Sequence, residues 1–290
     1  MPLIIIYNPA SGGSRAGRKQ ALTRELTKCE LLAQVVPLDG DAWKLEVRRA
    51  VQRGDALVVA AGGDGTINAV VAQLVGSHTA LGVLPIGTLN HFAKDAGIPA
   101  DLPKAVEVLS SGRDQLVDTG EVNGQTFVNN SSIGLYPSLV QRRQQYGQLK
   151  KPLATLLAAL ELLRWRRSLP VSLTIGPEMH TLRTPFIFVG NNDYQIGRSA
   201  FIGRNSLNSG TLCAYVIHQT GIWGLLRIAV RTLFGAGQSD RSLDEYGGSE
   251  IEARIPRPTV EVAYDGEVRA MQPPIVWRSR PGSLKVRLPR

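Results

Sequence analysis

The chain has 290 residues, 43% of them apolar and 20% charged, with a formal net charge of +9, a composition that can bury a core and excludes an intrinsically disordered protein. Two cysteines, Cys29 and Cys213, exclude a disulfide framework and a thiolate zinc site, and four histidines without ligand spacing argue against a histidine metal centre. The basic balance suits anionic partners (nucleotide phosphates, anionic lipid or nucleic acid) without choosing among them.

Met1 to Tyr7 has no basic region ahead of its apolar run, so it reads as a strand and not as a secretory leader. Leu3–Tyr7, Gln34–Leu38, Ala56–Ala61 and Leu81–Leu84 are short continuous apolar blocks, the pattern of strands buried on both faces. Between them the spacing predicts helices over Arg18–Leu32, Asp41–Arg53 and Thr66–Val75; the last carries Ile67, Val70, Val71 and Leu74 on one face. Strand and helix in alternation imply a parallel sheet covered on both sides, a three-layer α/β domain over residues 1–115.

From residue 116 to 290 the pattern becomes that of a β-sandwich. Gln115–Glu121 and Thr126–Asn130 flank the turn signal Asn123-Gly124. Val171–Ile175, Phe186–Gly190, Thr211–Ile217, Glu250–Ile255, Thr259–Tyr264, Ile275–Arg278 and Ser283–Arg287 follow as short strands between Gly, Pro and Asn. Two helical insertions interrupt them. One follows Pro152 with Leu153, Leu156, Leu157, Leu160 and Leu163 on a stripe, bracketed by Arg142, Arg143, Lys150, Lys151, Arg164, Arg166 and Arg167. The other, Gly221–Gly235, mixes Trp223, Leu225, Leu226 and Phe234 with Arg227 and Arg231, an interfacial composition. Leu153–Leu163 is far shorter than the roughly 20 residues of a bilayer span, so the expectation is a cytoplasmic protein.

The densest chemical signal is Gly62-Gly63-Asp64-Gly65-Thr66, placed directly between a strand and a helix. Glycines there let backbone approach a phosphate, the helix N-terminus offers unpaired N–H groups, and Asp64 suits a magnesium ion with its waters. Asn8-Pro9-Ala10-Ser11-Gly12-Gly13 and Pro85-Ile86-Gly87-Thr88-Leu89-Asn90 end two further strands at the same sheet edge, where α/β proteins bind ligands. Together the three turns describe a nucleoside triphosphate site. The chain has neither the G-x-x-x-x-G-K-[ST] loop nor a G-x-G-x-x-G before a helix, so it is not an ordinary P-loop enzyme or a dinucleotide oxidoreductase.

Asn8-Pro9-x-Ser11-Gly12, Gly62-Gly63-Asp64-Gly65-Thr66-Ile67-Asn68 and Gly87-Thr88-x-Asn90-x-Phe92-Ala93 resemble the diacylglycerol kinase catalytic-domain superfamily, with sparser anchors at Asn130-x-x-x-Gly134, Leu207-Asn208-Ser209-Gly210-x-Leu212 and Tyr264-Asp265-Gly266-Glu267. The length resembles the small bacterial lipid kinases. The resemblance implies an NAD-kinase- and diacylglycerol-kinase-like α/β domain before a β-sandwich. It also implies ATP- and magnesium-dependent transfer of a γ-phosphoryl group to the hydroxyl of diacylglycerol or a related lipid. By this resemblance Asn8, Ser11, Gly12, Gly62, Gly63, Asp64, Gly65, Thr66, Asn68, Gly87, Thr88 and Asn90 face the nucleotide. Glu267 is the expected proton acceptor, with Asp265 and Asp64 as the other catalytic carboxylates; Asp64 holds magnesium, and a second, structural magnesium falls at Ser209. There the family's acidic residue is replaced by a hydroxyl. Ala69, His91 and Leu38 also depart from the family's acidic, Asp and Thr residues.

The expected partners are a lipid substrate and, through the two insertions, an anionic membrane surface on the inner side, with no nucleic acid; the oligomeric state, a homodimer included, stays open. An NAD-kinase-like small-molecule kinase and a non-catalytic nucleotide-binding membrane module remain as alternatives.

Overall fold

The four apolar blocks become β1 (Leu3–Tyr7), β2 (Ala33–Pro37), β3 (Leu57–Gly62) and β4 (Ala80–Pro85), all parallel in the order β2-β1-β3-β4. The structure is a computed structural model that describes residues 3–11, 15–134, 137, 168–197, 200–204, 206–217 and 243–290. The leucine-striped helix after Pro152 with its flanking basic residues, the Gly221–Gly235 stretch, and Gly12 and Gly13 of the first turn lie outside the described residues. The chain divides into two units, residues 1–119 with 280–290, and residues 120–279.

In the first unit the helices are α1 (Arg15–Lys28), α2 (Ala42–Arg53), α3 (Asp64–Leu74), the short α4 (His91–Asp95) and α5 (Leu102–Ser111). The step from β1 to β2 runs one way across the sheet, and the steps to β3 and β4 run the other way. Right-handed crossovers therefore put α1 on one face and α2 with α3 on the opposite face. The packing agrees: α1 meets α5, and α2 meets α3. The expected three layers follow. Their core is aliphatic, with Ile4, Ile5, Ile6, Val58, Val59, Ala60, Ile67, Val70, Val71, Leu74, Leu81 and Leu84 all at most 2% exposed. The fifth helix was not expected; Asp101 caps it by accepting from the Lys104 amide (3.2 Å), with Pro103 in its first turn.

The reversal of crossover direction falls between β1 and β3. In an open α/β sheet this switch point leaves a crevice at the carboxyl ends of the two strands. Asn8 follows β1, and Gly62 ends β3, at that point.

The second unit is a sandwich of two sheets. One runs β14-β13-β10-β7-β16-β17, built from β7 (Asn130–Gly134), β10 (Phe186–Asn191), β13 (Leu212–Ile217), β14 (Leu243–Gly248), β16 (Val260–Tyr264) and β17 (Glu267–Met271). The other contains β8 (Leu169–Ile175), β9 (Glu178–Thr184), β15 (Glu250–Arg254) and the first residues of β18 (Ile275–Leu288), with the hairpin between the end of β5 (Arg113–Val122) and β6 (Gln125–Phe127). A small hairpin of β11 (Tyr194–Gly197) and β12 (Ala200–Arg204) completes it. Alternate residues of both sheets meet in one core, including Ile133, Ile187, Val189, Ala214, Val216, Val262 and Tyr264 from the first and Val171, Leu173, Ile251, Ala253 and Trp277 from the second.

Two expectations change. The runs Ile275–Arg278 and Ser283–Arg287 are one strand and not two. Pro281-Gly282 does not end it; Gly282, at φ +59°, donates its N–H to the buried Asp118 carboxylate (2.8 Å). The boundary at 115/116 also fails to describe the carboxyl end. Residues 280–290 return to the first unit, where Val286 pairs with Leu81 of β4 in parallel. Among the described residues no helix is long and apolar enough to cross a membrane.

Candidate active site

Helix α3 begins two residues earlier than the spacing predicted, with Gly63 as N-cap and Asp64, Gly65 and Thr66 forming its first turn. The Gly63 carbonyl takes the amides of Thr66 (2.9 Å) and Ile67 (3.0 Å). The amides of Asp64 and Gly65 precede this ladder and point out of the positive end of the helix dipole, the arrangement that binds phosphate. Thr66 is buried and does not cap the helix. Its Oγ1 accepts from Asn8 Nδ2 (3.0 Å), tying the turn after β1 to the helix after β3 across the switch point. Asn8 Oδ1 in turn accepts from the Ala10 amide (2.9 Å), and the Ser11 amide donates to the Asn8 carbonyl (3.2 Å), so this turn is closed on itself.

The glycines divide by what requires them. A Cβ on Gly62 would lie 2.2 Å from Thr66 Oγ1, and one on Gly87 would lie 2.3 Å from the Gly63 Cα, so Gly62 and Gly87 are imposed by packing, while a Cβ on Gly63 would be tight at 3.3 Å from the Gly87 Cα. Gly65 differs. It is exposed, its φ is not in the left-handed region, and a Cβ there meets nothing within 4 Å.

Asp64 Oδ1 accepts from the Phe92 amide (3.2 Å), so one carboxylate oxygen caps α4. Asn90, in the left-handed region at φ +52°, donates Nδ2 to the carbonyls of Pro85 (3.0 Å) and Gly87 (3.1 Å) and braces its own turn. Its expected place on the nucleotide is thereby reduced to Oδ1, which is buried without a partner. Asn68, one helical turn beyond Asp64 on the same face of α3, also buries an Oδ1 that has no partner. Buried acceptors are ordinarily satisfied, so these two oxygens are exceptions inside the turn region. Thr88 is exposed in the Gly87 turn.

In the second unit, Asp265 and Gly266 are the central pair of a two-residue hairpin at φ +44° and +88°, with Tyr264 and Glu267 as its closing pair. The sequence left both carboxylates as catalytic candidates; the structure separates them. Asp265 accepts from the amides of Val128 (2.6 Å), Asn129 (2.9 Å) and Asn130 (3.1 Å), and its own amide donates to the Asn130 carbonyl (2.9 Å). Its carboxylate is thus an anchor of the turn. Burial pushes it up to about 6, against the pull of the three amides and the nearby Arg204. Glu267 is exposed, and its Oε2 accepts from Tyr264 Oη (3.3 Å).

Residues that sequence reasoning missed complete this node. The Val128 carbonyl takes Arg204 Nη1 (2.6 Å) and Asn191 Nδ2 (3.0 Å), and the Asn129 carbonyl takes Tyr194 Oη (3.0 Å). Only the polar pairs Asn129-Asn130 and Asn191-Asn192 inside strand-like runs signalled it.

Ser209 does not fit a magnesium ion. Its amide (3.0 Å) and its hydroxyl both donate to Asn192 Oδ1, and the hydroxyl also meets Thr211 Oγ1 at 3.0 Å, while Ser206 Oγ bonds Asn208 Oδ1 (2.7 Å). These partners are neutral, whereas magnesium takes one or two carboxylates. Among the described residues no three His, Cys, Asp or Glu side chains gather as a metal cage.

Comparison with known proteins shows what the chain resembles. Residues 2–122 match the family described as the diacylglycerol kinase catalytic domain. The chain is similar to the diacylglycerol kinase of Bacillus subtilis, 29% identical over 282 residues, covering 93% of this chain and 90% of that protein. It is equally similar to a Pseudomonas aeruginosa protein named "Probable lipid kinase YegS-like", 29% identical over 311 residues and covering 99% and 94% of the two chains. A crystal structure of a diacylglycerol kinase from Bacillus anthracis shares the fold, with a TM-score of 0.74 at 19% identity over 99% of this chain and 96% of that one.

Proposed function

We propose that this chain, which belongs to the diacylglycerol kinase catalytic-domain superfamily, transfers the γ-phosphoryl group of ATP to the hydroxyl of a diacylglycerol or a related long-chain alcohol. At the family level it is a lipid kinase; the acceptor and the cofactor are our reading. The observation that carries it is the first turn of α3 at the switch point, where the amides of Asp64 and Gly65 face out beside a glycine that the chain itself does not require.

Phosphoryl transfer needs in-line positioning, charge stabilisation and a base near the attacking hydroxyl, with little covalent help from the protein. The α3 amides supply fixed positive dipoles for the phosphates. Asp64, with one carboxylate oxygen outside its bond to Phe92, is the residue that would hold magnesium with its waters. That ion, when bound with ATP, supplies neutralisation of the charge on the transferring group. Glu267, which is exposed, accepts the hydroxyl proton as the new P–O bond forms and the bond to ADP breaks. Asp265, already engaged by three amides, takes no part in proton transfer. Because the acceptor is insoluble, the reading places the protein at an anionic lipid surface.

The test is γ-labelled ATP with magnesium, incubated with dioleoylglycerol in mixed micelles, with a total lipid extract, and separately with NAD. Label in a lipid, lost in Glu267→Gln, supports the reading. Label only in NADP points to an NAD-kinase-like enzyme. ATP binding by calorimetry with no labelled product from any arm leaves a non-catalytic module and overturns the proposal.

A further inference from the structure

Tyr264 ends β16 directly opposite Glu267, across the Asp265-Gly266 turn. Its side chain belongs to the sandwich core and is 3% exposed, so packing fixes the ring and with it the position of the hydroxyl. The hydroxyl donates to Glu267 Oε2 at 3.3 Å. The backbone that carries Glu267 is held in the same frame, since Asp265 next to it makes four hydrogen bonds to residues 128–130.

We propose that Tyr264 is a positioning residue for Glu267, holding one carboxylate oxygen so that the other faces the acceptor hydroxyl. The inference rests on the reading of Glu267 as proton acceptor. An exposed glutamate has three rotatable bonds and no reason of its own to keep one rotamer. A core-locked phenol at hydrogen-bonding distance selects one. The phenol stays protonated and therefore stays a donor, because burial first, and then the charge of Glu267, raise its pKa above the ordinary tyrosine value. Arg269, two residues beyond Glu267 on the same face of β17, is a further charged group beside the hydroxyl and pulls its pKa the other way, against burial and the charge of Glu267. The role is indirect: Tyr264 acts through Glu267 and exchanges no proton with substrate.

The experiment is a double-mutant cycle on the full chain with dioleoylglycerol micelles and labelled ATP, using Tyr264→Phe, Glu267→Gln and the double variant. Phenylalanine keeps the ring and removes only the donor. The expected result is a fall in kcat of about tenfold in Tyr264→Phe, the scale of one hydrogen bond to a charged group, with KM for ATP and melting temperature unchanged. On the Glu267→Gln background the same change is expected to have no further effect, because a positioning role disappears with the group that it positions. An equal fall on both backgrounds, or a raised ATP KM with a lowered melting temperature, makes the hydroxyl merely structural and overturns the inference. Wild-type kcat in Tyr264→Phe beside an inactive Glu267→Gln overturns it while leaving Glu267 as the base. Normal turnover in Glu267→Gln removes the base itself, and the inference falls with that reading.

Discussion

Gly65 is the glycine of the α3 turn whose identity the fold does not demand: no neighbour lies where its Cβ would be, and its φ suits any residue. Inside a helix, glycine costs roughly 0.5–1 kcal/mol relative to alanine. Gly65→Ala should therefore melt at the same temperature or slightly higher, while KM for ATP rises at least tenfold, because the new methyl stands where the phosphates approach; thermal unfolding and initial rates together check this. Gly62→Ala should instead unfold the turn, since its Cβ would overlap Thr66. Asp265 carries a pH signature. Its folded pKa of about 6 lies above its ordinary value of 3.8, so its contribution to stability is full below pH 3.8 and is lost as pH rises through 6. At about 1.36 kcal/mol per unit, the loss is at most about 3 kcal/mol. Urea unfolding between pH 3.5 and 7 should show this decline in the wild type relative to Asp265→Asn. At this scale the sequence singled out residues and could not name their partners. Asn90, Thr66 and Asp265 stood out as polar groups in turns, yet each is engaged by backbone or side chain from its surroundings, and spacing along the chain carries no information about such neighbours.

Among elements, the α3 N-terminus and the hairpin of β16 and β17 carry the proposed chemistry; the first was legible, the second only as a turn after β16. Glycine and aspartate between an apolar block and an amphipathic run mark a strand-to-helix turn; Asp265-Gly266 after Thr259–Tyr264 offered a turn, but Glu267–Met271 has no strand pattern of its own and was not expected as β17. The second metal was not legible in the same way. The loop Ser206–Thr211 closes through Asn192, Ser209 and Thr211 without a carboxylate. Chelation by EDTA in the absence of nucleotide should leave the melting temperature unchanged, and Ser209→Asp should make it rise with added magnesium; differential scanning calorimetry distinguishes the two. Elements without a strong apolar period escaped the sequence. In β9, Glu178-Met179-His180-Thr181-Leu182-Arg183-Thr184 forms a strand mostly exposed along one face. Its pairing with β8, and not its own pattern, decides its conformation.

For the whole molecule, the consequential feature is the return of residues 280–290 to the first unit, where Leu284 and Val286 are fully buried. A fragment ending at Thr119 would leave β4 without the strand that pairs with Leu81, and the apolar surface around it would meet water. Residues 1–119 expressed alone should aggregate, whereas the same fragment joined to 280–290 by a flexible linker should remain monomeric and cooperative in unfolding; size-exclusion chromatography and thermal melts decide. By itself the sequence determined the layer types, the parallel sheet of the α/β unit, and the glycine-rich strand-to-helix turn, because these depend on local periodicity and on residues close in the chain. Only the tertiary structure decided that β18 is one strand shared by both units, that Asp265 anchors while Glu267 remains exposed, and that Ser209 sits in a neutral network. Each of these rests on contacts between residues far apart in the chain, where the energy comes from burial and hydrogen bonding in three dimensions and leaves no periodic trace in one.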